Sequence, residues 1–267
     1  MQPVILFRPS LAEKGEISAA EPYFYIHTSR ATIPNGSLVI GRYSVLPYYN
    51  ELATDLEYID SQLVNSPHQH HFIADVGNWY DVLKDYTPET WRRVEDVPED
   101  AFPIVVKGAT NSKKFLWDTH MFAADRRAAV DVQCRLQEDS MIGDQWIYYR
   151  RYIPLKKLGQ GFHGLPISHE FRIFVLHGKV VAKGFYWSNF ADEFEDSILY
   201  DVPDSFLDEV ISTIGDRASF YVVDVAKTAT GKWIVVELND GQMSGLSMIN
   251  PYDLYENMYR VLFGKNP

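Results

Sequence analysis

Hydrophobic and polar positions along the chain form short blocks that predict a mixed α/β protein. Apolar runs bounded by turn residues indicate strands, and apolar residues three and four positions apart indicate helices. Strands are predicted at Val4–Phe7, Leu38–Ile40, Ile104–Lys107, Gln145–Ile153, Glu170–Leu176, Val180–Tyr186, Tyr221–Val225 and Trp233–Val236. Helices are predicted at Asn50–Leu63, around Trp79–Leu83, at Met121–Leu136, at Val202–Ile214 and from Asn250 onward.

A boundary between lobes is predicted where the chain is acidic and punctuated by proline, from Pro98 to Pro103. This division gives an N-terminal α/β lobe of residues 1–100 and a second region of residues 101–267. The histidine-rich stretch Pro67–His71 is interpreted as a polar loop rather than a metal site. The reason is that the adjacent His70 and His71 rarely face one ion on regular structure.

Composition narrows the class of protein. The net charge of -11 argues against a general nucleic-acid binder, although a local basic cleft could hold phosphates. Cys134 is the single cysteine, so an intrachain disulfide is excluded and a reducing, cytoplasmic location is expected. The chain opens on a short strand rather than a signal peptide, and its apolar runs fall short of the ~20 residues that cross a bilayer. We therefore expect no membrane partner.

Three candidate metal ligands lie on two consecutive predicted strands near the C-terminus. Glu237 and Asn239 are two positions apart at the end of an apolar strand, so both side chains lie on the same face. Asp224 lies within the preceding apolar strand, and a polar connection containing Gly231 predicts a hairpin. The hairpin would bring three oxygen ligands together, which is the donor set that Mg²⁺ prefers.

A second candidate site begins at Lys107, which closes an apolar strand and precedes the small residues from Gly108 to Ser112. Small residues let backbone N–H groups approach an anion, and a lysine at a strand end supplies a point charge. The Walker phosphate-binding loop is absent from the sequence, so Lys107 is either a solvated lysine at a strand end or part of a phosphate site of another kind.

A third group consists of charged residues on the predicted hairpin of Glu170–Leu176 and Val180–Tyr186. Glu170 and Arg172 share a face of the first strand, and Lys183 is expected across the turn on the same face. The group is either a surface ion network or a clamp for an anion. His169, next to Glu170, is a candidate substrate contact.

The order of these pieces resembles the ATP-grasp superfamily over roughly Pro103 to Leu246. A lysine-ended strand, a small-residue loop, a hinge strand, a Glu-x-Arg strand, an Asp-bearing strand and a Glu-x-Asn strand follow one another in that order. The likeness is strongest to the tubulin tyrosine ligase-like and ribosomal-protein glutamate ligase branches, and to uncharacterised ATP-grasp proteins of phages and bacterial conflict systems. The implied fold is two α+β lobes gripping a nucleotide, preceded by a small α/β domain. Residues 1–100 are expected to select the substrate, and residues 101–267 are expected to bind the nucleotide and to carry the catalytic residues.

The resemblance also implies a role for each matching residue. It assigns nucleotide binding to eight residues: Lys107, Gly108, Ser112, Arg150, Arg151, Tyr152, Ile153 and Glu170. Within this set, Arg150 to Ile153 would form the hinge that binds adenine. It assigns the transferred phosphate to Arg172 and Lys183. It assigns one or two Mg²⁺ ions, or Mn²⁺, to Asp224, Glu237 and Asn239. Arg150 stands where the family usually carries Glu or Gln, Lys183 stands where arginine is commoner, and the usual N-terminal-lobe lysine has no counterpart between Asn50 and Leu83.

The function implied is an ATP-dependent carboxylate–amine ligase that acts on an amino acid, a peptide or a protein. A carboxylate would attack the γ-phosphate of ATP to give an acyl phosphate, and an amine would displace phosphate. Two other classes stay open: a nucleotidyltransferase or nucleic-acid ligase in which Lys107 is adenylylated, and a non-catalytic nucleotide-binding module. Neither the substrates nor the oligomeric state can be derived from the sequence.

Overall fold

A computed structural model describes residues 1–45, 48–161, 165–188, 190 and 202–264. The chain divides into two compact units that each combine separate segments. Unit 1 comprises Met1–Ile73, Phe171–Asp224 and Leu238–Pro267, and unit 2 comprises Ala74–Glu170 and Val225–Glu237. The predicted boundary at residue 100 lies inside unit 2, so the division of function between residues 1–100 and 101–267 stays a prediction.

Unit 1 begins with a parallel sheet. Its strands are β1 (Gln2–Phe7), β2 (Tyr25–His27), β3 (Ser37–Arg42) and β4 (Gln62–Leu63), in the order β2-β1-β3-β4. All three pairings are parallel. Because β1 has hydrophobic residues on both faces, it contributes to two cores: Val4 and Leu6 to one, Ile5 and Phe7 to the other.

Unit 1 also contains five α-helices among its described residues. They are α1 (Glu16–Ala20), α2 (Tyr49–Glu57), most of α3 (Pro67–Ala74), α7 (Asp204–Ile214) and α8 (Pro251–Phe263). The N-cap of α8 is Asn250, whose side chain accepts a hydrogen bond from the Tyr252 N–H, and Pro251 occupies the first helical position, as the sequence predicted.

Unit 2 is built on an antiparallel sheet of β5 (Thr90–Trp91), β6 (Ile104–Gly108), β7 (Phe122–Ala123) and β8 (Ile147–Arg151), in the order β5-β8-β6-β7. Its other elements are α4 (Val76–Leu83), α5 (Trp117–His120), α6 (Arg126–Gln137) and the paired strands β9 (Lys157–Gln160) and β10 (Pro166–Ser168). Apolar residues of α6 and of the sheet form one core.

The remaining sheet carries the predicted chemistry. Its strands are β11 (Glu170–Leu176), β12 (Lys179–Phe185), β13 (Phe220–Lys227) and β14 (Trp233–Asp240), in the order β12-β11-β13-β14. The adjacency of β13 and β14 confirms the predicted hairpin, and Gly231 in the connection has a φ of 90°, which an L side chain rarely adopts.

Three local predictions are wrong, two of them at the end of a helix and one in its type of structure. The helix predicted over Asn50–Leu63 stops at Glu57, because Asp60 takes a left-handed φ of 51° and the chain then enters β4. The stretch Pro67–His71, interpreted as a loop, forms the first turns of α3. The helix predicted from Met121 starts only at Arg126, where Asp125 caps it by accepting the Ala128 N–H. None of the helices among the described residues is long and apolar enough to cross a membrane.

Candidate functional site

Lys107 and Glu237 form a buried ion pair in unit 2. Lys107 lies near the end of β6 and Glu237 lies on β14, and their side chains are 5% and 14% exposed. The sequence assigned Lys107 to phosphate and Glu237 to a metal ion. The structure brings these two residues into direct contact, with a hydrogen bond from the lysine Nζ to the glutamate Oε1.

Charges around this pair keep the glutamate ionised. Burial alone would raise the pKa of Glu237, but the positive charges of Lys107, Lys114 and Arg150 outweigh burial and lower the pKa to about 2. Burial also lowers the pKa of Lys107, and the nearby guanidinium of Arg150 adds to that shift. The site therefore holds several cations around one carboxylate, an arrangement suited to attract a further anion.

Arg150 was predicted to lie in the hinge that binds adenine. In the structure, its side chain is bound by other residues of unit 2. Its guanidinium donates to the Val236 carbonyl at 2.7 Å and to the Thr87 hydroxyl at 2.6 Å. It also lies 5.7 Å from the ring centroid of Trp79. Burial lowers its pKa to about 10, against the opposing effect of Glu237. The Arg150 side chain thus fixes β8 and the strand segment that carries Glu237.

The rest of the predicted hinge follows the end of β8. The Arg151 N–H donates to the Glu89 carbonyl at 2.8 Å, and the Tyr152 N–H donates to the Pro103 carbonyl at 3.1 Å. The Tyr152 ring packs edge-on against Phe122, with centroids 5.5 Å apart. These two amides are therefore used within unit 2.

The small-residue loop after Lys107 is packed at its start. A Cβ on Gly108 would lie 2.7 Å from the side-chain oxygen of Gln145 and 2.8 Å from Ile142, so only glycine fits there. The same glutamine oxygen accepts the Thr110 N–H at 3.0 Å. Gly108 therefore has a packing role, and Ser112, half-buried outside any helix or strand, lies in the part of the loop beyond this anchor.

Glu170 belongs to the same unit and is 3% exposed. Its carboxylate accepts the Ser168 hydroxyl at 3.1 Å and lies 3.6 Å from the Lys114 ammonium. Lys114 was not predicted as a site residue, although it belongs to the pair of lysines that follows the small-residue loop. Its links to Glu170 and to the Glu237 charge make it a further candidate for anion binding.

Arg172 and Asp224 form a two-point ion pair in unit 1. The arginine Nε donates to Oδ1 at 2.9 Å and Nη2 donates to Oδ2 at 2.8 Å. Asp224 is fully buried, and the Arg172 side chain is 11% exposed. A third bond runs from Nη1 to the Gly245 carbonyl at 3.0 Å, and the guanidinium lies 4.9 Å from the centroid of the Tyr186 ring.

Asn239 joins the Arg172–Asp224 pair, because its amide N–H donates to the Asp224 Oδ2 at 3.3 Å. The predicted proximity of Asp224 and Asn239 is therefore observed. Glu237 lies on the same strand as Asn239, but the compact units divide β14 after Glu237. Among the described residues, no group of three or more His, Cys, Asp or Glu side chains could hold a metal ion. The predicted metal site has only two carboxylates, and its third ligand is the side-chain amide of Asn239.

The chemical types of the three predicted ligands nevertheless suit magnesium. Asp224, Glu237 and Asn239 offer two carboxylates and one amide oxygen, all hard ligands. Each carboxylate has a cation as its partner here, Arg172 for Asp224 and Lys107 for Glu237. A buried carboxylate needs such a countercharge, which a bound divalent ion would also provide.

The sequence predicted that Lys183 lies beside Arg172, but the structure places the two side chains on opposite faces of the sheet. Regular pairing from the turn would place Lys183 opposite Arg172, but a β-bulge between Phe174 and Val175 shifts the register by one residue. Gly184 is opposite Arg172, and Lys183 pairs with Ile173 on the other face. There the lysine makes a 2.9 Å ion pair with the exposed Asp204, so the cross-strand clamp of Arg172 and Lys183 is not formed.

Sequence reasoning missed the loop that supports Arg172. The Leu246 N–H donates to the Glu13 carboxylate at 2.6 Å, and a Cβ on Gly245 would lie 2.8 Å from the same Glu13 oxygen. Glu13 is distant in sequence from Arg172, so no local pattern could have predicted this contact. The glycine that precedes Leu246 was the available signal.

Comparison with known proteins identifies the family and the fold. A family profile described as ATP-grasp domain, R(2)K clade family 3, matches residues 59–258. No curated protein matches the chain. A Chryseobacterium gregarium RiPP-associated ATP-grasp ligase, solved with ADP and a leader and core peptide, superposes with a TM-score of 0.62 at 11% identity over 100% of this chain and 98% of that chain.

Two further solved structures are similar. A RimK domain protein ATP-grasp from Sphaerobacter thermophilus DSM 20745 has a TM-score of 0.57 at 18% identity, over 96% of this chain and 98% of that chain. The ATP-grasp ligase PsnB, complexed with minimal precursor, Mg and ADP, has a TM-score of 0.54 at 11% identity, over 91% of this chain and 90% of that chain. Likeness at these identities shows a shared fold.

The predicted fold class and the prediction of an ATP-grasp enzyme are thereby confirmed. The profile covers most of the sequence, including the segments that carry Lys107, Arg172, Asp224, Glu237 and Asn239. The chain belongs to the ATP-grasp superfamily, in the clade family that this profile describes.

Proposed function

We propose that the protein is an ATP-dependent carboxylate–amine ligase that forms an amide bond through an acyl phosphate and releases ADP and phosphate. The substrates are an amino acid, a peptide or a protein. Membership of the ATP-grasp superfamily supports this proposal, as does the fold shared with a ligase solved with ADP and peptide and with one solved with Mg and ADP. Neither comparison identifies the substrates of this chain.

The observation that carries the proposal is the pairing of two predicted phosphate-binding cations with two predicted metal ligands. Lys107 neutralises Glu237 in unit 2, and Arg172 neutralises Asp224 in unit 1. ATP with its divalent ion brings both kinds of charge at once. The cations can then turn to phosphate oxygens while the carboxylates turn to the ion, so that no buried charge is left without a partner.

In the reaction, a carboxylate oxygen of the first substrate forms a bond to the γ-phosphorus while the bond between that phosphorus and the ADP oxygen breaks. The amine of the second substrate then attacks the acyl carbon, loses a proton and expels phosphate. Arg172 would neutralise the phosphoryl group during both steps, and Lys107 would hold the nucleotide phosphates. Asp224, Glu237 and Asn239 would hold Mg²⁺, which stabilises the charge on the phosphate oxygens when bound.

Adenine recognition is proposed at the end of the hinge. Because the amides of Arg151 and Tyr152 donate to carbonyls of unit 2, the backbone of Ile153 is the best candidate for the adenine contact. The loop from Gly108 to Ser112 would cover the phosphates from its far end, beyond the anchor that Gln145 provides.

One observation favours a second candidate, nucleotidyl transfer through Lys107. Burial lowers the pKa of this lysine, and a lowered pKa is a property of nucleophilic lysines. In that reaction the lysine nitrogen would attack the α-phosphorus and pyrophosphate would leave. The direct bond to Glu237 favours the ligase role, because an ionised lysine has no lone pair for attack.

The two candidates give different products from ATP. The protein is incubated with ATP, Mg²⁺ and mixtures of amino acids and peptides, and nucleotides and intact protein are measured by mass spectrometry. A ligase gives ADP, phosphate and a condensed product without a protein adduct, and Lys107→Ala reduces its rate or its affinity for ATP. AMP attached to wild-type protein and absent from Lys107→Ala would establish the nucleotidyltransferase instead. Absence of turnover with every mixture would leave a nucleotide-binding module.

A further inference from the structure

A cavity of about 260 Å³ opens at one edge of the parallel sheet in unit 1. It lies where β1 ends, at Leu6, Phe7 and Arg8, and is bordered by the residues that follow β2 and β3. The volume is below the roughly 300–1,000 Å³ of pockets for drug-sized ligands, so the cavity suits a group as large as an amino-acid side chain.

The cavity is lined by buried apolar residues and by exposed arginines. Leu6 and Phe7 are buried and their side chains pack into the cores on opposite faces of the sheet, whereas Arg8 and Arg30, at the rim, are exposed. Thr28, Ser29 and Tyr43 complete the lining. Arg30 also interacts with Asp55 on α2 and with Tyr43, and its guanidinium has five N–H donors to share between these partners and a ligand.

The position of the cavity follows from the topology of the sheet. In the order β2-β1-β3-β4, the chain leaves β1 towards β2 on one side and returns to β3 on the other. The carboxyl ends of β1 and β3 thus form a switch point, and parallel sheets bind ligands in the crevice at such a point. Arg8 and Arg30 bring two positive charges to this crevice, of which Asp55 offsets one, in a chain whose net charge is -11. The remaining positive charge favours an anionic ligand at this crevice.

A continuous connection leads from the cavity to Arg172. The Arg8 carbonyl accepts the N–H groups of Leu11 and Ala12, which turns the chain back after β1. Glu13 then contacts the loop whose Gly245 carbonyl accepts a hydrogen bond from Arg172. Arg8 and Glu13 are only a few positions apart, so the backbone path between them is at most about 17 Å long. A short extended peptide can span that distance.

We infer that this cavity, with Arg8 and Arg30 at its rim, binds a carboxylate side chain of an acidic peptide substrate. The carboxylate of a glutamate or aspartate would accept hydrogen bonds from the guanidinium groups of Arg8 and Arg30. Arginine pairs with carboxylates in this two-point manner. The role as a substrate site rests on the proposed ligase function, whereas binding of the acidic group does not require any turnover.

The test measures binding without ATP. N-acetyl tetraglutamate is titrated into the full-length protein by calorimetry, and the uncharged N-acetyl tetraglutamine is titrated in parallel. Wild-type protein is expected to bind only the acidic peptide. The double variant Arg8→Gln/Arg30→Gln is expected to weaken that binding at least tenfold. Arg260→Gln is the matched control, since it removes an exposed arginine of unit 1 that pairs with Glu256 away from the cavity.

Other outcomes would overturn the assignment. Equal affinity of the double variant and wild type, equal binding of tetraglutamine, or an equal loss in Arg260→Gln would show that the cavity does not recognise carboxylates. Displacement of the peptide by inorganic phosphate at the same concentration would assign the cavity to phosphate instead. If the ligase reaction is not found but these binding results hold, the proposed function fails and the acidic-group site remains.

Discussion

Arg172 donates two hydrogen bonds, of 2.9 and 2.8 Å, to the two carboxylate oxygens of Asp224, and the aspartate side chain has no exposed surface. The arginine stands on β11 and the aspartate on β13, neighbouring strands of one sheet. The pair has both a structural and a proposed catalytic consequence. Without nucleotide it neutralises a buried carboxylate, and in the proposed reaction the same guanidinium neutralises the transferred phosphoryl group.

Arg172→Ala is expected to reduce both turnover and stability. Turnover should fall by about two to three orders of magnitude, as for loss of one preorganised donor. The free energy of unfolding should fall by about 3–5 kcal/mol, because Asp224 is left buried without its main cation. Urea unfolding and ADP release on the same samples measure the two effects.

A second substitution separates these effects of Arg172. Arg172→Ala/Asp224→Asn removes both charges, so stability should recover most of the loss while activity stays low. Arg172→Lys keeps the charge but loses the two-point geometry, and it should be slower than wild type with a smaller loss of stability. Normal ADP release from Arg172→Ala would remove Arg172 from the mechanism.

Lys183→Ala is expected to have nearly wild-type ADP release, in contrast to Arg172→Ala. The bulge places Lys183 opposite Ile173, and its partner Asp204 is exposed. Loss of such a surface pair changes the free energy of unfolding by less than about 1 kcal/mol. A fall in turnover comparable with that of Arg172→Ala would show that Lys183 reaches the transferred phosphate after all.

Asn239→Ala tests the metal assignment without removing a charge. The side chain gives Asp224 one hydrogen bond of 3.3 Å, so stability should fall by only about 1 kcal/mol. Loss of an oxygen ligand should raise the Mg²⁺ concentration for half-maximal ADP release at least tenfold. Asn257→Ala is a control, because that asparagine donates to the Val181 carbonyl outside the proposed site. An unchanged Mg²⁺ dependence in Asn239→Ala would contradict the assignment.

The Lys107–Glu237 pair predicts how stability depends on pH. The pKa of Glu237 is lowered from 4.5 to about 2 in the folded protein, so its stabilisation is present above pH 4.5 and is lost as the pH falls through the folded pKa. The loss amounts to about 3 kcal/mol. In Lys107→Met/Glu237→Gln this contribution is absent, so urea unfolding between pH 5 and pH 2 should show a shallower decline. Parallel pH profiles of the two proteins would contradict the pair's role.

The sequence was sufficient to predict features set by local pattern. The predicted hairpin placed Asp224 and Asn239 on adjacent strands, and their side chains are in contact. The turn at Gly231 and the cap at Asn250 also follow from side-chain chemistry that acts over a few residues. Such features do not depend on the rest of the fold.

Features set by packing between distant segments could not be predicted. The extra residue in β12 moves Lys183 to the opposite face, and a bulge has no reliable signature in an apolar strand. The helix at Pro67–His71 was missed because His70 is buried against Asp240, 2.9 Å away, which a local pattern cannot show. The contact of Glu13 with the loop at Gly245 likewise depends on the tertiary fold.

The fate of the substrate's carboxylate oxygen tests the central claim most directly. A substrate mixture that supports ADP release is labelled with heavy oxygen in its carboxylates and incubated with ATP and Mg²⁺, and the phosphate is then analysed by mass spectrometry. An acyl phosphate requires that one carboxylate oxygen leaves with the phosphate, so ADP and singly labelled phosphate are expected. Unlabelled phosphate, or AMP and pyrophosphate in place of ADP, would contradict the ligase mechanism.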